Sequence, residues 1–175
     1  EVVRIIGYDS VPVTMLATPI PTQPRGHNRR LVDRVKDALA AAGMQEIINY
    51  PLVSMEDLQK VDWEEADGQT LRVANPMNSA EEFLRPTLRP SLLGTLAANQ
   101  GQETGPFRIF EVGRVFRPKP DDLPEEREMV CGVLAGQRWS TSWLNSELEA
   151  GPELGGALDF YDAKGVLEGL LERLG

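Results

Sequence analysis

The chain has 175 residues, 41% hydrophobic and 26% charged, the balance of a globular domain large enough for one buried core. Its formal net charge of −9 is concentrated at one end: residues 121–175 carry 4 Lys+Arg against 12 Asp+Glu, while residues 1–50 carry 6 against 5 and residues 51–120 carry 8 against 10. Nucleic acid is held through cations on its phosphates, so the C-terminal third is a poor nucleic-acid face; the longest apolar runs also fall far short of the ~20 residues of a membrane helix.

The N-terminal Glu1-Val2-Val3-Arg4 lacks the basic and apolar regions of a signal peptide. Cys131 is the single cysteine and cannot form an internal disulfide, which suits a reducing cytoplasm. There is no initiator Met, and the chain stops just after a helical pattern, so it reads as a piece of a longer protein. Residues 1–10 are expected to be the tail of a preceding domain. Residues 11–24, with Pro12, Pro19, Pro21 and Pro24, are expected to form an extended linker, because proline lacks an N–H and restricts its predecessor. The core domain then covers residues 25–175.

Arg25, His27, Arg29, Arg30 and Arg34 form a small basic cluster, read either as a solvated helix start or as a phosphate contact. Leu31, Val32, Val35, Ala38, Leu39 and Ala42 recur at helical spacing and Gly43 supplies the stop. Gln45 to Val53 is expected to be a strand broken at Pro51, and Ser54 caps a short helix reaching about Lys60. Residues 61–70 are an acidic loop or hairpin, Leu71 to Ala74 a short strand, and Glu81 to Leu84 a helical turn. Pro90 suits the first turn of a helix whose buried stripe is Leu92, Leu93, Leu96 and Ala97.

Phe107 to Phe116 is the clearest strand. Apolar residues on both of its faces predict a central strand covered on both sides, and Gly113 marks a bulge or close approach. Met129 to Leu134 is its partner, with the acidic, proline-rich residues 118–126 expected to form a long loop between them. Trp139 and Trp143 lie in a segment without a clear pattern, residues 151–156 form a glycine-rich loop, and a final helix turns Val166, Leu167, Leu170 and Leu171 inward. This order predicts an α+β fold, an antiparallel β-sheet backed by helices.

The inventory excludes several chemistries. One His and one Cys far apart in sequence give no zinc signature, His27 has no orienting carboxylate nearby for a Ser–His pair, and no glycine run makes a phosphate loop.

What stands out is Leu84-Arg85-Pro86-Thr87-Leu88-Arg89 before a helix, followed by a strand that runs from Phe107 through Glu111-Val112-Gly113 to Phe116-Arg117. In this the chain resembles the class II aminoacyl-tRNA synthetases, whose antiparallel core joins an LRP segment to the strand of the motif 2 hairpin. Glu1 to Asp9, Gly43 to Tyr50, Ala74 to Ser79 with Leu84-Arg85, the strand Arg108 to Phe116, and Asp159 to Gly165 resemble, in order, the β-subunit family of heterotetrameric bacterial-type phenylalanine–tRNA ligases.

The resemblance implies a catalytically silent, synthetase-like scaffold, with no catalytic residue and no ATP-binding residue of its own. The implied partner is the α subunit of an α2β2 enzyme, which would use ATP and Mg²⁺ to charge tRNA with phenylalanine. The helix from Arg29 to Ala42 would correspond to motif 1. Arg117 stands at the position of the ATP-binding arginine of motif 2, a relic here because Lys119 replaces the carboxylate that helps to seat adenine. Asp121, Asp122, Glu125 and Glu126 are expected to repel a triphosphate unless a metal ion intervenes. Arg108, Arg114 and Arg117 are expected to pair with Glu111 or other acids. Glu1 matches the last acid of a cluster that holds Mg²⁺ in the family, a partial site because octahedral oxygen coordination needs more than one carboxylate. The alternative is an independent class II-like ATP-dependent ligase with a working active site.

Overall fold

The computed structural model describes residues 1–15, 17, 19, 26–63, 70–78, 80–101, 105–138 and 156–175. The expectations for Pro21, Pro24, Arg25, Ser79, Trp139, Trp143 and the stretches 64–69 and 151–155 lie outside them.

Helix α1 (Val2–Ile6) and a 3-10 turn at Tyr8–Ser10 contain no buried residue. Helix α2 (His27–Ala41) follows, and Gly43 beyond its end adopts φ +81°, a left-handed conformation that glycine enters without the penalty of a Cβ. Strand β1 (Gln45–Glu46), strand β2 (Leu52–Val53), helix α3 (Met55–Gln59), strand β3 (Leu71–Arg72) and strand β4 (Phe83–Leu84) are short. Helix α4 (Arg89–Asn99), the long strands β5 (Phe107–Lys119) and β6 (Asp122–Ala135), and helix α5 (Phe160–Leu174) complete the order.

The main sheet runs β1-β5-β6. The β5–β6 pair is antiparallel over nearly its whole length, whereas β1 joins β5 in parallel. The small sheet β2-β4-β3 is antiparallel throughout. The fold is therefore α+β with antiparallel pairing dominant and one parallel neighbour.

Alternation along β5 places its side chains in two cores. Phe110, 1% exposed, packs with Ala38, Leu39, Met44 and Leu170 beneath α2 and α5. Ile109 and Val115 pack with Leu88 and Leu92 of the α4 region, joined by Phe107, Ile47 and Val133. The central, doubly covered strand is as expected. The helix stripes are narrower than expected: Leu39, Leu92 and Leu170 are buried, but Leu31, Leu93, Leu167 and Leu171 are 41–58% exposed.

Three expectations need correction. The run from Gln45 to Val53 is two strands in different sheets. Ile47 donates to the Phe110 carbonyl (2.8 Å), the chain then leaves the main sheet, and pairing resumes only at Leu52. Glu81 to Leu84 ends in a strand rather than a helical turn, because Phe83 and Leu84 are paired by β2 on one side and β3 on the other. The long loop at 118–126 is also mostly ladder. Arg117 faces Glu125 and Phe116 faces Glu126, and the chain reverses at Pro120-Asp121, where Asp121 takes φ +56°. Proline followed by a positive φ is the type II turn arrangement. Pro118 and Pro124 fit because the register shifts between Arg117 and Lys119 and because β1 pairs with β5 only at Ile109 and Phe110. A missing N–H costs little at a bulge or an open edge.

Candidate functional site

The centre of the synthetase-like pattern is a buried ion pair. Glu111 lies on the β5 face that also carries Ile109 and Val115, and its side chain is 2% exposed. Arg85, 5% exposed, enters from the segment between β4 and α4 and donates from Nη1 to Glu111 Oε1 at 2.7 Å. Its Nε donates to the Arg114 carbonyl at 3.0 Å. The Arg85 backbone is held as well, its N–H donating to Pro51 (2.9 Å) and its carbonyl accepting from Phe116 (3.0 Å).

The second oxygen of Glu111 accepts from Asn49 Nδ2 at 2.9 Å, and Thr95 of α4 donates to Asn49 Oδ1 at 3.0 Å. Both charges are thus hydrogen-bonded beyond each other, as buried charges require. Gly113 makes room for the guanidinium: a Cβ there would lie 2.3 Å from Arg85 Nη2 and 3.1 Å from Glu111 Oε1. The close approach expected at Gly113 is the seat of this pair. The network ties the segment between β4 and α4, the loop after β1 and helix α4 to the central strand, so it positions elements and is closed to a reacting group.

The partner of Glu111 is not legible in the sequence. Arg108, Arg114 and Arg117 are all chemically suited to it, but Arg114 pairs with Glu126 (2.7 Å) and Arg108 donates to the Arg138 carbonyl (3.1 Å). Sequence reasoning also passes over Asn49 and Thr95. The one signal for them is a lone amide inside the apolar run from Ile47 to Val53, a polar residue that needs a partner when covered.

Arg117 lies on β5 opposite Glu125, and Lys119 lies beside the hairpin turn opposite Asp122. Both are exposed. The hairpin acids do not form the uncompensated negative patch expected. Glu126 is paired with Arg114, and Glu125 with Arg127 at 2.8 Å. The Arg127 hydrogen bond, with smaller help from Lys119 and Arg117, holds the Glu125 carboxyl below the usual range. Between residues 114 and 128 four cations stand against five acids. Glu125 and Glu126 are thus compensated locally, while Lys119 stands beside the turn.

Glu1 sits at the N-terminus of α1, exposed and 3.8 Å from Arg4. Among the described residues no group of three or more His, Cys, Asp or Glu could hold a metal ion. The residues described do not by themselves fit a magnesium site. Cys131 is half-buried, and burial pushes its thiol above the ordinary range, opposed in part by Arg89; a protonated thiol is a poor nucleophile.

A second polar junction closes the far end of β6. Asp159 caps α5, accepting from the Tyr161 and Asp162 N–H groups, and Asp162 reaches back to the Asp159 N–H. Arg138 donates from Nε to Asp162 Oδ1 (3.0 Å) and from Nη2 to Oδ2 (2.9 Å). That hydrogen-bonded pair holds the Asp162 carboxyl below its usual range.

Comparison with known proteins places these features in context. Residues 11–175 match a family model described as the phenylalanyl tRNA synthetase beta chain CLM domain. The phenylalanine–tRNA ligase beta subunit of Dehalococcoides mccartyi (strain ATCC BAA-2266) is 36% identical over 178 residues, covering 100% of this chain and 20% of that protein. The subunit of the same name from Anaeromyxobacter dehalogenans is 35% identical over 181 residues, covering 100% and 21%. The chain spans about a fifth of the length of these curated relatives. Among solved structures, a pyrrolysyl tRNA synthetase from Desulfitobacterium hafniense aligns with a TM-score of 0.56 at 18% identity, over 86% of this chain and 48% of that one. At that identity the likeness speaks for the fold alone, the class II synthetase architecture. No helix among the described residues is long and apolar enough to cross a membrane.

Proposed function

This chain belongs to the family of phenylalanyl-tRNA synthetase β-chain CLM domains, and from that premise we propose that it is a catalytically silent, synthetase-like scaffold within a β subunit. It supports assembly with an α subunit in an α2β2 cytoplasmic enzyme that uses ATP and Mg²⁺ to charge tRNA with phenylalanine. Residues 25–175 are the scaffold proper, 11–24 the linker, and 1–10 the tail of a preceding domain. The observation that carries the silent part is Lys119, a cation beside a motif 2-like hairpin turn where an active enzyme of this class needs a carboxylate. The independent-ligase alternative finds no support in the relatives, all of which are named as beta subunits.

In this reading α2, at the motif 1 position, faces the α subunit. Glu1 contributes one carboxylate to a Mg²⁺ site whose other ligands come from elsewhere in the parent protein. Calorimetric titration of the chain with ATP and Mg²⁺ tests the proposal, with no saturable heat expected. Micromolar ATP binding that Arg117→Ala abolishes would refute it.

A further inference from the structure

We propose that the cleft between the start of β5, the edge of β1 and the C-terminal half of α4 binds a small carboxylate with an apolar body, and that Arg108 is its anion-binding residue. The cleft has a volume of about 460 Å³, within the size range of small-molecule sites. Its walls are of two kinds. Ile47 and Phe107 provide an apolar surface, and Gln45, Asn99 and Arg108 provide polar groups.

Arg108 is what makes the cleft chemically specific. It is partly buried, and among the described residues it has no carboxylate within ion-pairing distance. Among the described residues its guanidinium makes one hydrogen bond, from Nη2 to the Arg138 carbonyl (3.1 Å), and its Nε is buried without an acceptor. A buried N–H without an acceptor carries a cost, and the outer guanidinium nitrogens keep donors that an anion in the cleft can use.

The other charges nearby are already committed. Arg138, which also lines the cleft, is held by Asp162 and Asp159, and Glu46 beside Gln45 is paired with Lys36. Asn99 donates one amide N–H to the Thr95 carbonyl (2.8 Å), and the second N–H of that amide is a donor that a carboxylate can accept from. A carboxylate on Arg108 at the open edge of β5, with its hydrocarbon part against the half-buried Ile47 and Phe107, uses both kinds of wall. This inference does not rest on the scaffold reading, since it concerns neither Arg117 nor a nucleotide.

The test is titration of the 175-residue chain with phenylacetate, and separately with its neutral isostere phenylacetamide, by calorimetry and backbone-amide NMR. Phenylacetate is expected to bind saturably, with the largest shifts at Thr95, Phe107 and Arg108. The amide should bind at least about tenfold more weakly, because the charge-assisted hydrogen bond is lost. Arg108→Gln should weaken phenylacetate by a similar factor and Arg108→Lys by less. Gln45→Ala, at an exposed position where folding is not at stake, should weaken it modestly. Failure of phenylacetate to bind, equal binding of the amide, or unchanged affinity in well-folded Arg108→Gln overturns the proposal.

Discussion

Arg85 and Glu111 satisfy each other across 2.7 Å in a place water does not reach, so the two side chains are informative as a pair. Removing one partner strands the other: Arg85→Ala should destabilise the chain by about 3–5 kcal/mol, read from denaturant unfolding. Arg85→Met with Glu111→Leu should recover part of that loss, because no charge is left stranded, while Asn49 and the Arg114 carbonyl lose a partner. A double variant less stable than Arg85→Ala would show that a stranded buried charge is not what destabilises the chain. Gly113 belongs to the same argument. An added Cβ would collide with Arg85 Nη2, so Gly113→Ala should cost about 1–3 kcal/mol through overpacking. In an Arg85→Ala background the penalty should shrink, a coupling that a double-mutant cycle measures. The sequence marks Gly113 and Arg85 as unusual, but it cannot assign the pair. Arg85 and Glu111 are 26 residues apart, and Arg108 and Arg114 are equally plausible partners on chemical grounds.

Elements with a strong local signal form as their sequence predicts. Helices α2 and α5 follow the apolar spacing, and the Ser54 cap is present, Ser54 Oγ accepting from the Asp57 N–H at 3.0 Å. The elements that depart from expectation are those whose state depends on neighbours. Phe83-Leu84 is a strand because two other strands flank it, and residues 118–126 extend a hairpin because cross-strand pairing outweighs proline and acidic composition. The start of α5 yields a pH prediction. Asp162 is more acidic in the folded chain than in the unfolded one, chiefly through its hydrogen bond from Arg138. Its contribution to stability is therefore present above the unfolded value of about 3.9 and is lost as pH falls through the lowered folded value. The melting temperature of Asp162→Asn should lie below that of the parent at neutral pH, and the gap should close in acid. A gap that widens in acid would contradict the assignment. Asp159→Ala, which deletes the helix cap, should cost about 1 kcal/mol and accelerate amide exchange in the first turn of α5.

For the molecule as a whole, the fold is that of a class II synthetase and the family that of a β-chain domain, and the remaining question is division of labour. In the proposed assembled enzyme, Arg117→Ala should leave ATP affinity and kcat for tRNA charging within about twofold, since an exposed hairpin cation is worth little. Substitutions that unfold the Arg85–Glu111 junction should reduce recovery of the αβ complex instead. A loss of ATP affinity with intact assembly in Arg117→Ala would reverse that division.

The sequence by itself determined the α+β class and the central doubly covered strand, because residue order and apolar period are local properties that physics reads directly; the family was marked by the resemblance of its ordered motifs. Only the tertiary structure decided which arginine reaches Glu111, that Glu125 and Glu126 are paired with Arg127 and Arg114, and that Arg108 lines a cleft where no carboxylate among the described residues pairs with it. Those outcomes depend on which of several chemically equivalent side chains folding brings within about 3 Å of another, a distance that sequence separation does not encode.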